Sequence, residues 1–257
     1  MTETIVLLAI GLAGAFVSGL LGVGGAIVLI PMLLYLPPLF GVGPFDMVAV
    51  GGMTIVQVLA ASLAGMLTHR QQGHFSWRVV WPMAAAIGVG AAVGGLAANW
   101  VPERGLLGTF AVLAIASVVL MLLPVRAQAG EAEVPAGFNP WMAAGVAGGV
   151  GIVSGLMGAG GAFLMAPLMR TVLNLPMRLI IGTSLGIVLV SAVAGTLAKG
   201  LTGQIPWSAA GILVVGALVG APLGAKVSSR VPAHVLRWFL ATAIGLTALK
   251  MVWQVWG

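Results

Sequence analysis

One apolar motif occurs twice in this chain. Residues Ser18-Gly-Leu-Leu-Gly22-Val-Gly24-Gly25-Ala26, with Pro31 five positions on, return as Ser154-Gly-Leu-Met-Gly158-Ala-Gly160-Gly161-Ala162, with Pro167 five positions on. Each copy sits in the middle of an apolar stretch too long for one ordinary helix. Clustered glycines there, with no charge nearby, break a membrane helix deep in the bilayer. Duplicated broken helices are one way to build the substrate site of a transporter, and this feature points to transport of a small anion.

Composition agrees. Of 257 residues, 60% are hydrophobic and 6% charged, against about 25% charged in a soluble domain. Apolar segments of roughly twenty residues follow one another, as in an all-α polytopic membrane protein. The longest polar stretch is the linker Arg126 to Asn139, so no soluble domain is left over. A net charge of +6 needs no nucleic acid to explain it, because Lys and Arg at helix ends are what membrane topology requires. With no cysteine there is no disulfide framework, thiolate chemistry or cysteine-bound metal. The N-terminus lacks a basic leader and a small-residue cleavage site, so its first apolar segment is expected to be retained.

The duplication extends past the motif. Gly52 to Pro102 matches Gly182 to Pro232 without a gap, with 14 identities in 51 positions, where composition alone gives roughly five. This divides the chain into a first membrane repeat (1–125), a cytoplasmic linker (126–139) and a second membrane repeat (140–257). The first repeat is expected to hold arms 4–21 and 26–36, then helices near 45–68, 78–99 and 105–123. In the second, arms 140–157 and 162–173 precede helices near 178–198, 207–227 and 233–254. The repeats differ in length by six residues, in the loop Pro37–Pro44. All eight tryptophans fall at or near segment ends, as interface residues do.

Charge argues for the topology. If each broken segment crosses once, the basic residues split five to six between the two sides and carry no signal. If each goes in and comes back as a V, the repeats are inverted. One side then holds Arg70, Arg78, Arg126, Arg170, Arg178, Lys226, Arg230 and Arg237, and the other holds Arg104, Lys199 and Lys250. The positive-inside rule favours this eight-to-three split. It puts the linker in the cytoplasm and both termini outside. A re-entrant loop and a tilted helix pair both remain compatible with it.

At the tip of each V the second arm begins near Gly24–Ala26 and Gly160–Ala162. Its first N–H groups lack intrahelical partners, and the helix dipole adds about half a positive charge. Two facing tips would suit an oxyanion, with glycine letting it approach the backbone. Close packing through small residues is the competing reading. The motif is not a nucleotide fingerprint, because Ile27 and Phe163 stand at its third glycine and no strand precedes it.

Few polar side chains lie in the cores. Ser18 and Ser154 head the motif, Thr54 and Gln57 share a helix face one turn apart, and Thr183, Ser184 and Ser191 lie on the counterpart helix. The expected substrate-binding set is Ser18, Gly22, Gly24, Gly25, Thr54, Gln57, Ser154, Gly158, Gly160, Gly161, Thr183 and Ser184. For Ser62 and Ser191 helix–helix bonding is the favoured role. His69 and Lys199 occupy matching positions at the end of the second helix of each repeat, where they could mark a pathway mouth or simply snorkel. The ridges Ala86/Gly90/Gly94 and Gly216/Gly220/Gly224 are packing surfaces.

Absences discriminate too. Glu3, Asp46, Glu103, Glu131 and Glu133 all avoid mid-helix positions, whereas proton and sodium couplers usually keep an intramembrane carboxylate. An intramembrane serine protease needs Gly-x-Ser-Gly and a mid-membrane His; Phe16 and Ile152 occupy the glycine positions. No His/Asp/Glu cluster suggests a metal. Neither an enzyme nor a cofactor is expected.

These residues resemble the TauE/SafE family of sulfite and organosulfonate exporters over nearly the whole chain. The resemblance rests on both copies of Gly-Leu-(Leu/Met)-Gly-x-Gly-Gly with Pro31 or Pro167. It rests also on Gly182-Thr183-Ser184-Leu185, and on Gly73-x-x-x-Trp77 and Gly203-x-x-x-Trp207. Two departures stand out: Ala26 and Ala162 replace a frequent third glycine, and the first half reads Gly52-Met53-Thr54-Ile55. The resemblance implies a multi-pass cell-membrane exporter of sulfur-containing oxyanions. A channel-like facilitator, or a permease for another small organic anion, is the alternative; a non-transporting scaffold has no need of duplicated broken helices. The expected partners are a small anion and the lipid bilayer, not nucleic acid, with a homo-oligomer left open.

Overall fold

The computed structural model describes residues 2–21, 25–70, 76–122, 138–175 and 177–228, together with Thr242. Among these every regular element is helical. In chain order they are α1 (Thr2–Leu21), α2 (Ala26–Leu39), α3 (Met47–Arg70), α4 (Trp77–Ala97, continued by a 3₁₀ turn Ala98–Trp100), α5 (Glu103–Leu122), α6 (Pro140–Met157), α7 (Ala162–Thr171), α8 (Met177–Leu201) and α9 (Trp207–Ser228). The expected segment near 233–254, most of the linker, Gly22 and Gly24 lie outside the described residues.

Among the described residues six helices are long and apolar enough to cross a membrane: Thr2–Leu20, Met47–Leu67, Trp77–Trp100, Pro140–Met157, Thr183–Leu201 and Trp207–Val227. The fold is that of a multi-pass membrane protein. Trp77, Trp81, Trp100, Trp141 and Trp207 are exposed near helix ends, where an aromatic belt belongs.

Local chemistry fixes several boundaries. Asn139 Oδ1 accepts from the N–H groups of Trp141 and Met142 at 3.0 and 3.3 Å, and Pro140 opens α6; both are helix-start signals. Two carboxylates serve the start of α3. Asp46 Oδ1 accepts from Ala49 N–H at 2.8 Å, and Glu103 Oε1 accepts from Met47 N–H at 3.2 Å. Negative charge there also complements the dipole. The first half's extra length goes partly into helix: α2 has 14 residues and α7 has 10. Pro37 and Pro38 lie inside α2, and their carbonyls accept from Phe40 and Gly41 N–H as the helix ends.

At 1.5 Å per residue α2 and α7 reach only about 21 and 15 Å, short of a hydrocarbon core of roughly 30 Å. α2 folds back along α1. Gly25 lies against Gly14 O and Ser18 Cβ, each 2.7 Å from where a Cβ would stand, and Gly14 is packed by Leu29 Cδ1. Gly161 is likewise packed by Val150 of α6. Each broken segment is therefore a hairpin of one long and one short arm.

The long arms pack on helices of the other half. α1 lies along α9, and α4 along α6. Contact is backbone on backbone. A Cβ at Gly90 would meet Gly148 O and Ile152 N; one at Gly220 would meet the equivalent Leu12 O and Phe16 N. Gly94 is closed off by Ile152 O and Gly224 by Phe16 O. In return Gly155 rests on Ala91 O, and Gly19 on Ala221 O. The expected glycine ridges are thus packing surfaces, and each is occupied by the other half's first arm.

Register gives the helix directions. Gly11 meets Leu213 and Gly19 meets Ala221, so α1 and α9 run parallel. Gly151 meets Ile87 and Gly155 meets Ala91, so α6 and α4 run parallel. Gly88–Val190 and Gly95–Ala198 make α4 and α8 parallel. Gly65–Leu185 and Gly195–Ile55 make α3 and α8 antiparallel. The start of α3 touches the approach to α9 at Gly52–Ile205, and Ala61 clusters with Ala15, Ala217 and Ala221. Helices α1, α3 and α9 therefore run one way, and α4, α6 and α8 the other.

Two substitution sets check this packing. Gly94→Ala and Gly224→Ala should each lose about 1–3 kcal/mol by forcing backbones apart. Gly149→Ala and Gly211→Ala, whose Cβ would meet nothing within 4 Å, should be neutral or gain up to about 1 kcal/mol. Thermal unfolding in detergent compares them; equal losses in both sets would refute the interfaces. At the start of α3, Asp46→Ala should cost about 1 kcal/mol while Asp46→Asn, still a cap, should cost little.

Candidate functional site

The two tips are built alike. Gly25 (φ 62°) precedes α2 and Gly161 (φ 77°) precedes α7, both left-handed, a conformation that side chains resist. Gly25 O accepts from Val28 and Leu29 N–H, and Gly161 O from the equivalent Leu164 and Met165 N–H. The N–H groups ahead of these have no acceptor within their own helix. The motif serines lie beneath the same glycines. Ser18 Oγ and Ser154 Oγ would stand 3.3 and 3.1 Å from a Cβ at Gly25 and Gly161. Ser154 Oγ donates to Gly151 O at 3.1 Å, whereas Ser18 Oγ is buried with no partner.

In the second tip Gly158 (φ 73°) ends α6 and Gly160 (φ 65°) continues the turn. It wedges between α3 and α8. Gly158 lies against the backbone of Gly51, and Gly160 against Val58 Cγ1 and Val188 Cγ1, 2.8 and 3.4 Å from where its Cβ would stand. Gly51, Thr54 and Val58 are spaced i, i+3 and i+7, so they share one stripe of α3. Thr54 is thus on the stripe that faces the tip. Its hydroxyl is fully buried without a partner. Gln57, the next turn along, is fully buried with neither amide atom bonded, and Ser191, one turn beyond Val188, is buried and unpaired. An unsatisfied buried polar group costs about 1–3 kcal/mol. Thr54, Gln57 and Ser191 are three such groups on the two helices that flank the second tip.

The expected residues do not all converge. Thr54 and Gln57 lie near the start of α3, whereas Thr183 and Ser184 lie near the start of α8, which runs the opposite way. Through the Gly65–Leu185 pairing the two groups are separated by roughly 13–20 Å along the helices at 1.5 Å per residue. Thr183 Oγ1 accepts from Ser76 N–H at 3.3 Å and so ties α8 to the entrance of α4; Ser184 is buried beside it. Gly22 and Gly24 lie outside the described residues, as does the side chain of His69 near the end of α3.

Lys199, expected at a mouth with its head in water, is instead fully buried. Its ammonium donates to Gln204 Oε1 at 2.8 Å and to Leu156 O, in the last turn of α6, at 3.3 Å. Gln204 Nε2 donates to Gly95 O at 2.9 Å and to Thr202 Oγ1 at 2.6 Å. Asn99 Nδ2 reaches Thr202 O at 3.4 Å. This polar knot ties the α8–α9 turn to the ends of α4 and α6. Gln204 escaped the sequence reading because a glutamine in a turn looks solvated. Its one clue was the repeat: Lys199 and Gln204 match His69 and His74.

Among the described residues no three His, Cys, Asp or Glu side chains gather as a metal site would require.

Comparison with known proteins adds the lineage. A family model described as "Sulfite exporter TauE/SafE" matches residues 7–251. A "Probable membrane transporter protein" of Xylella fastidiosa is 31% identical over 96% of this chain and 93% of its own length. The "Probable membrane transporter protein YunE" of Bacillus subtilis is 23% identical over 97% of both. A relative from Methanocaldococcus jannaschii, also called a probable membrane transporter protein, is 22% identical over 96% of this chain and 94% of its own. No solved structure matches. With nearly its whole length matched, this chain belongs to the sulfite exporter TauE/SafE family of membrane transporters.

Proposed function

We propose that the chain exports a small sulfur oxyanion, such as sulfite or an organosulfonate, through a site where the second tip meets α3 and α8. The observation that carries this reading is the pair Thr54 and Gln57, fully buried and unbonded, on and beside the stripe that touches Gly158 and Gly160. Such a three-oxygen anion would accept from the Thr54 hydroxyl, the Gln57 amide and the N–H groups at the start of α7. Its water shell would be replaced by neutral donors, without which burying the charge is prohibitive. The dipole of α7 favours the anion further. The family's description supplies the sulfur chemistry.

The two halves act in this reading as inverted repeats, with residues 126–139 as a cytoplasmic linker. Supporting this are the opposed directions of α1 and α6 and of α3 and α8, the reciprocal glycine ridges, and the eight-to-three charge split under the positive-inside rule. An inverted pair can expose one tip to each side in turn, which is the geometry of alternating access.

The test uses near-isosteric changes, since any side chain at Gly25 or Gly161 is strained and crowded by Ser18 or Ser154 and would report folding. Thr54→Val and Gln57→Met should leave thermal stability equal or higher, because buried unpaired groups disappear. The same variants should weaken sulfite or methanesulfonate binding about tenfold, the equivalent of about 1.4 kcal/mol. Thr183→Val, which deprives Ser76 N–H of its acceptor, should instead lose about 1 kcal/mol of stability. Isothermal titration and thermal unfolding on purified protein read both quantities. Unchanged affinity together with lowered stability in Thr54→Val would mean that these groups merely hold helices together.

A further inference from the structure

We propose that Lys199 is an anion-recognition site in its own right, a latch that the negative charge of the substrate opens; this rests on the transport reading above. Three observations carry it. First, Lys199 is fully buried in a membrane-spanning helix, and its ammonium is held by two neutral oxygens, Gln204 Oε1 and Leu156 O. An ammonium has three donors, so one N–H is left over. Second, the carboxylates at the nearby start of α3 are already engaged: Asp46 accepts from Ala49 N–H and Glu103 from Met47 N–H. Among the described residues Lys199 thus has no counter-charge, and an intramembrane cation in that state is a functional group by default. Third, the knot stands beside the tip and the start of α3. Leu156 lies two residues before Gly158, Gly51 packs on Met157 O, and Gly52 packs on Gln204 O. Thr54 is two residues further along α3.

An anion arriving at this end meets the ammonium before it meets Thr54. The ammonium now faces only the dipoles of Gln204 Oε1 and Leu156 O, whereas an oxyanion brings a full opposite charge, whose attraction is strengthened by the low dielectric of the buried site, so it displaces them from Lys199. Once displaced, they no longer tie the α8–α9 turn to the end of α6. The differential affinity that any ligand-driven change requires thus comes from the charge of the oxyanion, and a neutral molecule of the same shape cannot supply it. One ammonium suits one negative charge, so monoanions such as hydrogen sulfite or a sulfonate are the class recognised.

Four variants test this in proteoliposomes with methanesulfonate as probe. Lys199→Met removes the charge and should raise KM about tenfold or more. Gln204→Glu keeps the lysine but places a built-in carboxylate on it, and should raise KM similarly while increasing thermal stability. Gln204→Leu breaks the knot yet leaves the ammonium free, and should keep KM within about threefold. Thr54→Val is run alongside to read the tip site. A merely structural knot gives the reverse order: Gln204→Glu behaves as wild type and Gln204→Leu falls with Lys199→Met. That order, with Thr54→Val still weakened, overturns the Lys199 proposal alone. The Lys199 pattern with Thr54→Val unaffected overturns the tip site alone. No methanesulfonate flux in the wild type overturns both.

Discussion

A helix can end inside a bilayer only where protein surrounds the break, because lipid offers nothing to the freed N–H and C=O groups. Everything else in this fold follows from meeting that condition twice. The second tip is enclosed by Gly51 and Val58 of α3 and by Val188 of α8. That enclosure holds only if the long arms are clamped close, and the clamps are the ridges at Gly90, Gly94, Gly220 and Gly224, where backbone lies on backbone. Glycine is needed at two levels for two reasons. On the ridges it removes the Cβ so that helices can touch; at Gly25, Gly158, Gly160 and Gly161 it supplies positive φ.

The enclosed region is polar by economy. It holds hydroxyls and one amide rather than charges, and several of those groups have no protein partner. A core optimised for stability would not keep Thr54 and Gln57 unbonded. The one deeply buried cation among the described residues, Lys199, is set apart from them in its own knot. In the proposed reading the tip offers the anion neutral donors, which permit weak, reversible binding, and Lys199 engages its charge directly.

Much of the architecture was legible in the sequence. The arm Pro140–Met157 has the bounds that its Asn-Pro start and glycine stop announce. The duplicated motif located both hairpins, and the small-residue spacing located both ridges. What the sequence could not show was pairing. That α3 and α8 are antiparallel, and so separate Thr54 and Gln57 from Thr183 and Ser184, depends on contacts such as Gly65–Leu185 between residues far apart in the chain. Lys199 looked like an interface residue because its partners are a turn glutamine and a main-chain oxygen 43 positions away, neither of which leaves a periodic signal. Pro37 and Pro38 suggested a loop; they lie instead in the last turn of α2, where they forgo two N–H donors while their carbonyls accept from Phe40 and Gly41 N–H as the helix ends.

The exchange of arms between halves also sets an order of events during synthesis. When α6 enters the membrane, its partner α4 is already there, and the two can close at once. α1 has no such luck: its ridge fits α9, which begins at Trp207. At 5–20 residues per second, the first arm waits on the order of ten seconds or more with Gly11 and Gly19 uncovered in lipid. Translation speed and neighbouring membrane proteins act on that interval. The N-terminal hairpin, first to be made, is among the last to be locked.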